Sequence, residues 1–307
     1  VTAMADLRAA VWDDDARLAA AATATQPGDL ADLATAAQGV KADAAVPLTK
    51  AGHGALTTVD NAAMRPWLAG LANRDTAAAK IYFMGDSITE GRGSTLRARR
   101  FSDRVGAQIR RTLGVTGGAH TLLLTHASGG SAFVDGVDIF DGDETGGVRV
   151  YNGGKDGLSS TQYVQNNFGF SGPGALDTIM TTIAPHLIVV GLGTNDWGQG
   201  ITAATVKTNL TGLIAGCRAA IPTDPTFVLL PVYQRNITPV GGGVWADYVA
   251  AMYEIAAADA GVTVFDLSLR MPAVAADTFG LYSDVSHLND KGNAVVGDAL
   301  AQFLMPR

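Results

Sequence analysis

The rhythm of apolar positions along the chain changes near residue 80. Residues 1 to 79 hold 26 alanines and few large side chains, broken by TQPGD and by LTKAGHGALTTVD, which predicts an Ala-rich helical or irregular appendage. One stretch is different. In NAAMRPWLAGLAN at 61 to 73, Met64, Trp67, Leu68 and Leu71 recur at i, i+3, i+4 and i+7, one face of a helix. Such a face needs a covering surface, so this segment is expected to dock on whatever follows.

From Lys80 onward, short apolar runs alternate with helical stretches. The runs are IYFMGDS, TLLLTHAS, HLIVVGLG, TFVLLPV and VTVFDL; the helices are expected near 101–113, 174–183, 203–220, 245–259 and 290–304. Five buried-type strands separated by helices predict a parallel sheet covered on both faces, because parallel strands need crossover connections. The expected architecture is therefore an α/β domain over 80–307, three layers deep, following the appendage of 1–79. A Gly-rich insertion at about 133 to 172 has no clear periodicity and reads as a functional loop.

In sheets of this kind ligands bind beyond the carboxyl ends of the strands, which directs attention to the residues after each apolar run. After IYFM comes Gly85-Asp86-Ser87-Ile88-Thr89, after TLLLTHAS comes Gly129-Gly130-Ser131, and after HLIVVGL comes Gly193-Thr194-Asn195-Asp196. Near the C-terminus lies Asp284-Val285-Ser286-His287. A serine hydroxyl is a weak nucleophile until a base takes its proton, and that base needs a partner to hold its tautomer. Ser87, His287 and Asp284 can fill these three roles. A tetrahedral intermediate also needs donors for its oxyanion, for which the Ser87 N–H, Gly129 and the Asn195 amide are the candidates.

At these residues the chain resembles the SGNH hydrolases of the GDSL esterase/lipase superfamily. GDSITEG at 85–91, the Gly129 segment, GTND at 193–196 and DVSH at 284–287 match that family's four blocks in order. The resemblance covers about 80–305 and implies a five-stranded flavodoxin-like sheet, ester hydrolysis on a serine, and neither cofactor nor metal. Two positions depart from the family pattern. Its second block usually has an Asn shortly before its Gly, whereas this chain reads LLLTHASGGS, which leaves Gly130 as an alternative donor. Leu288 follows His287 where many members have Pro.

Composition narrows the partners. The 307 residues are 47% hydrophobic and 17% charged, enough for a sizeable core, and the formal net charge of −7 disfavours nucleic acid, which usually needs a basic surface. No run approaches the roughly 20 apolar residues that span a bilayer. Asp13, Asp14 and Asp15 stand where a signal peptide would need positive and apolar residues, so no signal peptide is recognised, and the compartment, cytoplasmic or virion-associated, is left open. Cys217, the single cysteine, reads as a buried small hydrophobe. No H-E-x-x-H, Walker-type loop or G-x-S-x-G elbow is present.

Other residues have competing readings. Asn195 could instead cap a helix. Seven arginines between 92 and 111 read mainly as a solvated helix face, with Arg92 the one near the nucleophile loop. Trp197 and Gln199 could line a sugar or acyl site, or Trp197 could pack beneath its loop. His186 and His126, at strand ends, read as structural. The expected activity is a serine esterase acting on short acyl esters, a carbohydrate acetyl ester among them. The alternatives are a lipase or lysophospholipase of the same superfamily, and a phage-tail-associated structural or glycan-binding module, joined to a larger particle through residues 1–79.

Overall fold

The computed structural model describes residues 62–115, 121–123, 125–126, 133–134, 147–165 and 176–305. In chain order the helices are α1 (Arg65–Ala72), α2 (Ser87–Glu90), α3 (Phe101–Leu113), α4 (Ser160–Gln165), α5 (Leu176–Ile183), α6 (Thr194–Gln199), α7 (Ala203–Ala220), α8 (Trp245–Ala258) and α9 (Asp290–Leu304). The strands are β1 (Ala79–Gly85), β2 (Thr121–Leu123), β3 (Thr125–His126), β4 (Phe133–Val134), β5 (Val148–Asn152), β6 (Leu187–Gly191), β7 (Thr226–Leu229) and β8 (Val262–Val264).

Six of these strands form one parallel sheet in the order β2-β5-β1-β6-β7-β8, while β3 and β4 pair separately as an antiparallel ribbon. The expected three-layer α/β architecture is present, with one strand more than the five expected. The addition is β5, which lies inside the Gly-rich insertion. It pairs with β1 from Ala79↔Val148 to Phe83↔Asn152 and pushes β2 to the sheet edge. Without β5 the order is that of a flavodoxin-like sheet.

The central strands are buried on both faces: Ile81, Tyr82, Phe83 and Met84 are all fully enclosed, as are Leu187 and Ile188 beside them. This is why their sequences run apolar without alternation. Helices α3 and α9 pack together, joined at the Phe101 N–H, which donates to Asn293 Oδ1 at 3.0 Å, and α7 packs against α4, α5 and α8. Cys217 is buried in α7, and burial pushes its thiol pKa up to about 12.

Helix α1 sits against β1 and β7. Trp67 is fully buried, its indole N–H donates to the Leu304 carbonyl at 2.7 Å, and its backbone N–H donates to Thr226 Oγ1 at 3.2 Å. The rest of the segment expected to be an appendage, up to Asn61, lies outside the described residues.

Candidate active site

The nucleophile candidate stands where the central strand ends. Gly85 closes β1 opposite Gly191 of β6, and a Cβ on Gly85 would sit 2.7 Å from the Gly191 carbonyl oxygen, so only glycine lets the two strand ends approach this closely. The next residue, Asp86, caps α2: its Oδ1 accepts the Ile88 N–H at 2.9 Å, and its other oxygen accepts the Thr194 hydroxyl. Burial pushes the Asp86 carboxyl pKa above its ordinary value, against the opposing pull of those two donors. The cap fixes the first residue of α2, which is Ser87, itself 6% exposed.

Two hundred residues later the chain returns to this point. His287 Nε2 lies 2.9 Å from Ser87 Oγ, and His287 Nδ1 lies 2.8 Å from Asp284 Oδ2. An ionised carboxylate only accepts, so Nδ1 carries the proton and Nε2 is left free to accept the serine hydroxyl. Asp284 Oδ1 also accepts the backbone N–H groups of Ser286 and His287, at 2.7 and 2.9 Å. Partial burial pushes the Asp284 pKa up, but the His287 ring and these two N–H groups together hold it below its ordinary range. The turn is braced from the loop after β7 as well, since the Tyr233 hydroxyl donates to the Ser286 carbonyl at 2.9 Å.

The third strand end brings Asn195, in the first turn of α6. Its side chain does not cap the helix, whose N-cap is Gly193; its Nδ2 donates to the Leu158 carbonyl at 2.9 Å. Next to it, the buried Asp196 carboxylate accepts the Ser160 N–H at 2.9 Å and the Ser160 hydroxyl at 2.6 Å. These bonds tie the loop after β5 to the loop after β6. The same loop is held to α2, because the Asp156 N–H donates to Glu90 Oε2 at 2.8 Å and the Lys155 N–H to the Gly85 carbonyl at 3.0 Å. Gly157 is thus bracketed between the nucleophile helix and Asn195. Its φ of 79° is left-handed, and among the described residues its N–H has no acceptor, nor does that of Ser87.

The structure therefore brings Ser87, His287, Asp284 and Asn195 together. Gly129 and Gly130 lie outside the described residues, and the segment set beside Ser87 is the one after β5, because β5 and not β2 neighbours β1. Asn152, at the end of β5, is followed by Gly153 and Gly154. Its Nδ2 donates to the Thr89 carbonyl at 2.8 Å and its Oδ1 accepts the Gly154 N–H at 2.9 Å.

Of the residues considered for substrate binding, Arg92 is half exposed and pairs with Asp156 at 2.5 Å, and Gln199 is exposed at the end of α6. Trp197 is taken up by packing: it is 2% exposed, meets Trp245 edge-on and donates its indole N–H to the Gly243 carbonyl at 2.7 Å, which leaves no ring face for a ligand. The arginine-rich face is only partly solvated. Arg100 is buried against Asp103 at 2.6 Å, and Arg104 reaches Asp298 of α9 at 3.1 Å. His186 accepts the Lys80 N–H at 3.2 Å, the structural role expected of it. The sequence reading passed over Gly157 and Arg235. Arg235 lies just beyond the TFVLLPV run, so attention to residues after strand ends could have found it.

A flavodoxin-like parallel sheet that gathers a hydrogen-bonded Ser, His and Asp at its carboxyl edge defines a hydrolase. The chain belongs to the GDSL-like lipase/acylhydrolase family, whose model matches residues 83–295, and it is a carboxylic ester hydrolase. Among solved structures it is similar to a peptidoglycan O-acetylesterase (14% identity, 81% of this chain and 96% of that one, TM-score 0.55). It is also similar to an acetyl xylan esterase, AlAXEase (17% identity, 74% and 100%, TM-score 0.51). A third similar structure is the psychrotrophic esterase EstA from Pseudoalteromonas sp. (16% identity, 74% and 96%, TM-score 0.50). These likenesses are to the fold. No curated protein matches the chain at a significant level.

Proposed function

We propose that the protein hydrolyses short acyl esters, an acetyl group on a carbohydrate being the favoured case, through an acyl-enzyme on Ser87. The observation that carries this is the 2.9 Å contact between Ser87 Oγ and His287 Nε2, with Asp284 behind the imidazole. As Ser87 Oγ attacks the ester carbonyl carbon, its proton passes to His287 Nε2, and Asp284 stabilises the imidazolium that forms. The carbonyl oxygen becomes an oxyanion facing the N–H groups of Ser87 and Gly157 and the second amide hydrogen of Asn195. Collapse of the intermediate expels the alcohol, which takes the proton from His287. Water then repeats the sequence on the acyl carbon, leaving the carboxylic acid and the free serine.

The substrate class rests on the surface beside α2. A cavity of about 300 Å³ opens there, lined by Glu90, Arg92, Ser94, Arg100 and Asp156 among others. Donors and acceptors dominate this lining, which suits a hydroxyl-rich leaving group better than a fatty chain. A peptidoglycan O-acetylesterase and an acetyl xylan esterase among the similar folds agree with that reading.

A series of p-nitrophenyl esters of rising chain length, run beside acetylated oligosaccharides, tests the proposal. Acetyl esters should have the highest kcat/KM, with a fall as the acyl chain grows. A rise toward long chains would favour the lipase reading and overturn this one.

A further inference from the structure

The guanidinium of Arg235 spans two parts of the site that come from different ends of the sequence. Its Nε donates to Ser286 Oγ at 2.7 Å, within the turn that carries Asp284 and His287. Its Nη1 donates to Asn195 Oδ1 at 3.0 Å and lies 3.4 Å from the Thr194 carbonyl, which it also reaches as a donor. Arg235 is half-buried, and among the described residues it has no carboxylate within ion-pair distance. Its bonds therefore go to neutral acceptors around the nucleophile.

These contacts settle a choice that Asn195 could not make alone. A primary amide can be turned by half a rotation, exchanging its acceptor oxygen and donor nitrogen. With an Arg donor on one side and the Leu158 carbonyl on the other, only one orientation satisfies both partners: Oδ1 toward Arg235 and Nδ2 toward Leu158. The bond to Ser286 fixes the same guanidinium to the base-bearing turn. The planar fork of an arginine suits such a double attachment, which the single ammonium of a lysine cannot reproduce.

We propose that Arg235 is a positioning residue: it locks the amide of Asn195 with its N–H groups toward the oxyanion and holds that amide in register with His287. The inference rests on the role given above to Asn195.

A double-mutant cycle tests it. Arg235→Met keeps an unbranched stem and removes the donors; kcat should fall about 10- to 100-fold with KM little changed, the scale set by a small misplacement of a catalytic group. Arg235→Lys, whose three N–H donors sit on a single nitrogen and so reach only one of the two attachment points, should recover part of that loss. In an Asn195→Ala background, where no amide remains to be oriented, Arg235→Met should lower kcat by less than about threefold, since residues that act as a unit are not additive. Losses that multiply in the double variant would overturn the proposal, because Arg235 would then act by another route. So would an Arg235→Met kcat near wild type while Asn195→Ala is strongly impaired. If Asn195→Ala itself stays near wild type, the oxyanion role of Asn195 has failed first, and this inference falls with it.

Discussion

The side-chain amide of Asn195 donates to the backbone carbonyl of Leu158, one residue beyond Gly157. It ties the loop after β5 to α6, while the Asp156 N–H, on the other side of Gly157 in the chain, donates to Glu90 of α2. A Cβ on Gly157 would meet no atom within 4 Å, so Gly157→Ala tests backbone position rather than packing. An alanine at a left-handed φ costs about 1–2 kcal/mol, and the loop should relieve this by rotating its N–H away. The kcat of Gly157→Ala should fall about tenfold or more, as expected when an oxyanion donor is displaced, while Gly129→Ala stays within about threefold of wild type. The reverse ranking in steady-state kinetics would return the role to Gly129.

Asp86 gives a pH dependence of stability with a definite sign. Burial raises its folded-state pKa, so the folded protein binds a proton more readily than the unfolded chain does. The stability it contributes is therefore present in full below the ordinary Asp range, and is lost as pH rises through the raised value. Asp86→Asn keeps an acceptor for the Ile88 N–H and can donate to Thr194, but does not titrate. Relative to wild type, the melting temperature of Asp86→Asn should improve steadily from mildly acid toward neutral pH. A difference that is flat across this range would show that the carboxyl is not perturbed.

Helix α1 gives a prediction about the N-terminal segment. Trp67 is enclosed between β7 and the end of α9, and truncating such a side chain costs about 3–5 kcal/mol. Removing residues 1–55 should leave ester hydrolysis intact, whereas removing residues 1–74 or introducing Trp67→Ala should lower the melting temperature markedly. Equal stability of the two truncations would mean that α1 does not brace the sheet.

Most of the fold could be read in the chain because its central strands are buried on both faces. IYFM and HLIVV stand out as continuous apolar runs, and Phe101, Val105 and Ile109 mark α3 by their spacing. β5 has no such mark: VRVYN is five residues long, carries Arg149 and ends on Asn152, within a stretch rich in glycine. The end of β5 and the segment after it, at 152–157, therefore go unmarked in the sequence, although β5 is the strand that pairs with β1. Ser87, Asp284 and His287 were legible because each follows a recognisable run or motif. Arg235 has no motif, and its role depends on where Asn195 and Ser286 meet in space. Trp197 shows the converse, an aromatic beside the site in sequence that turns away from it in the fold.

The central claim is that Ser87 is the nucleophile, and hydrolysis of p-nitrophenyl acetate by Ser87→Ala beside the wild-type protein tests it most directly. The change removes one oxygen from a side chain held in place by the Asp86 cap, so the melting temperature should hardly move. The kcat of Ser87→Ala should fall on the order of 10⁴-fold or more, as when the nucleophile is deleted from a serine–histidine–aspartate set. Turnover by a folded Ser87→Ala protein within about tenfold of wild type, roughly 1.4 kcal/mol of barrier, would contradict it.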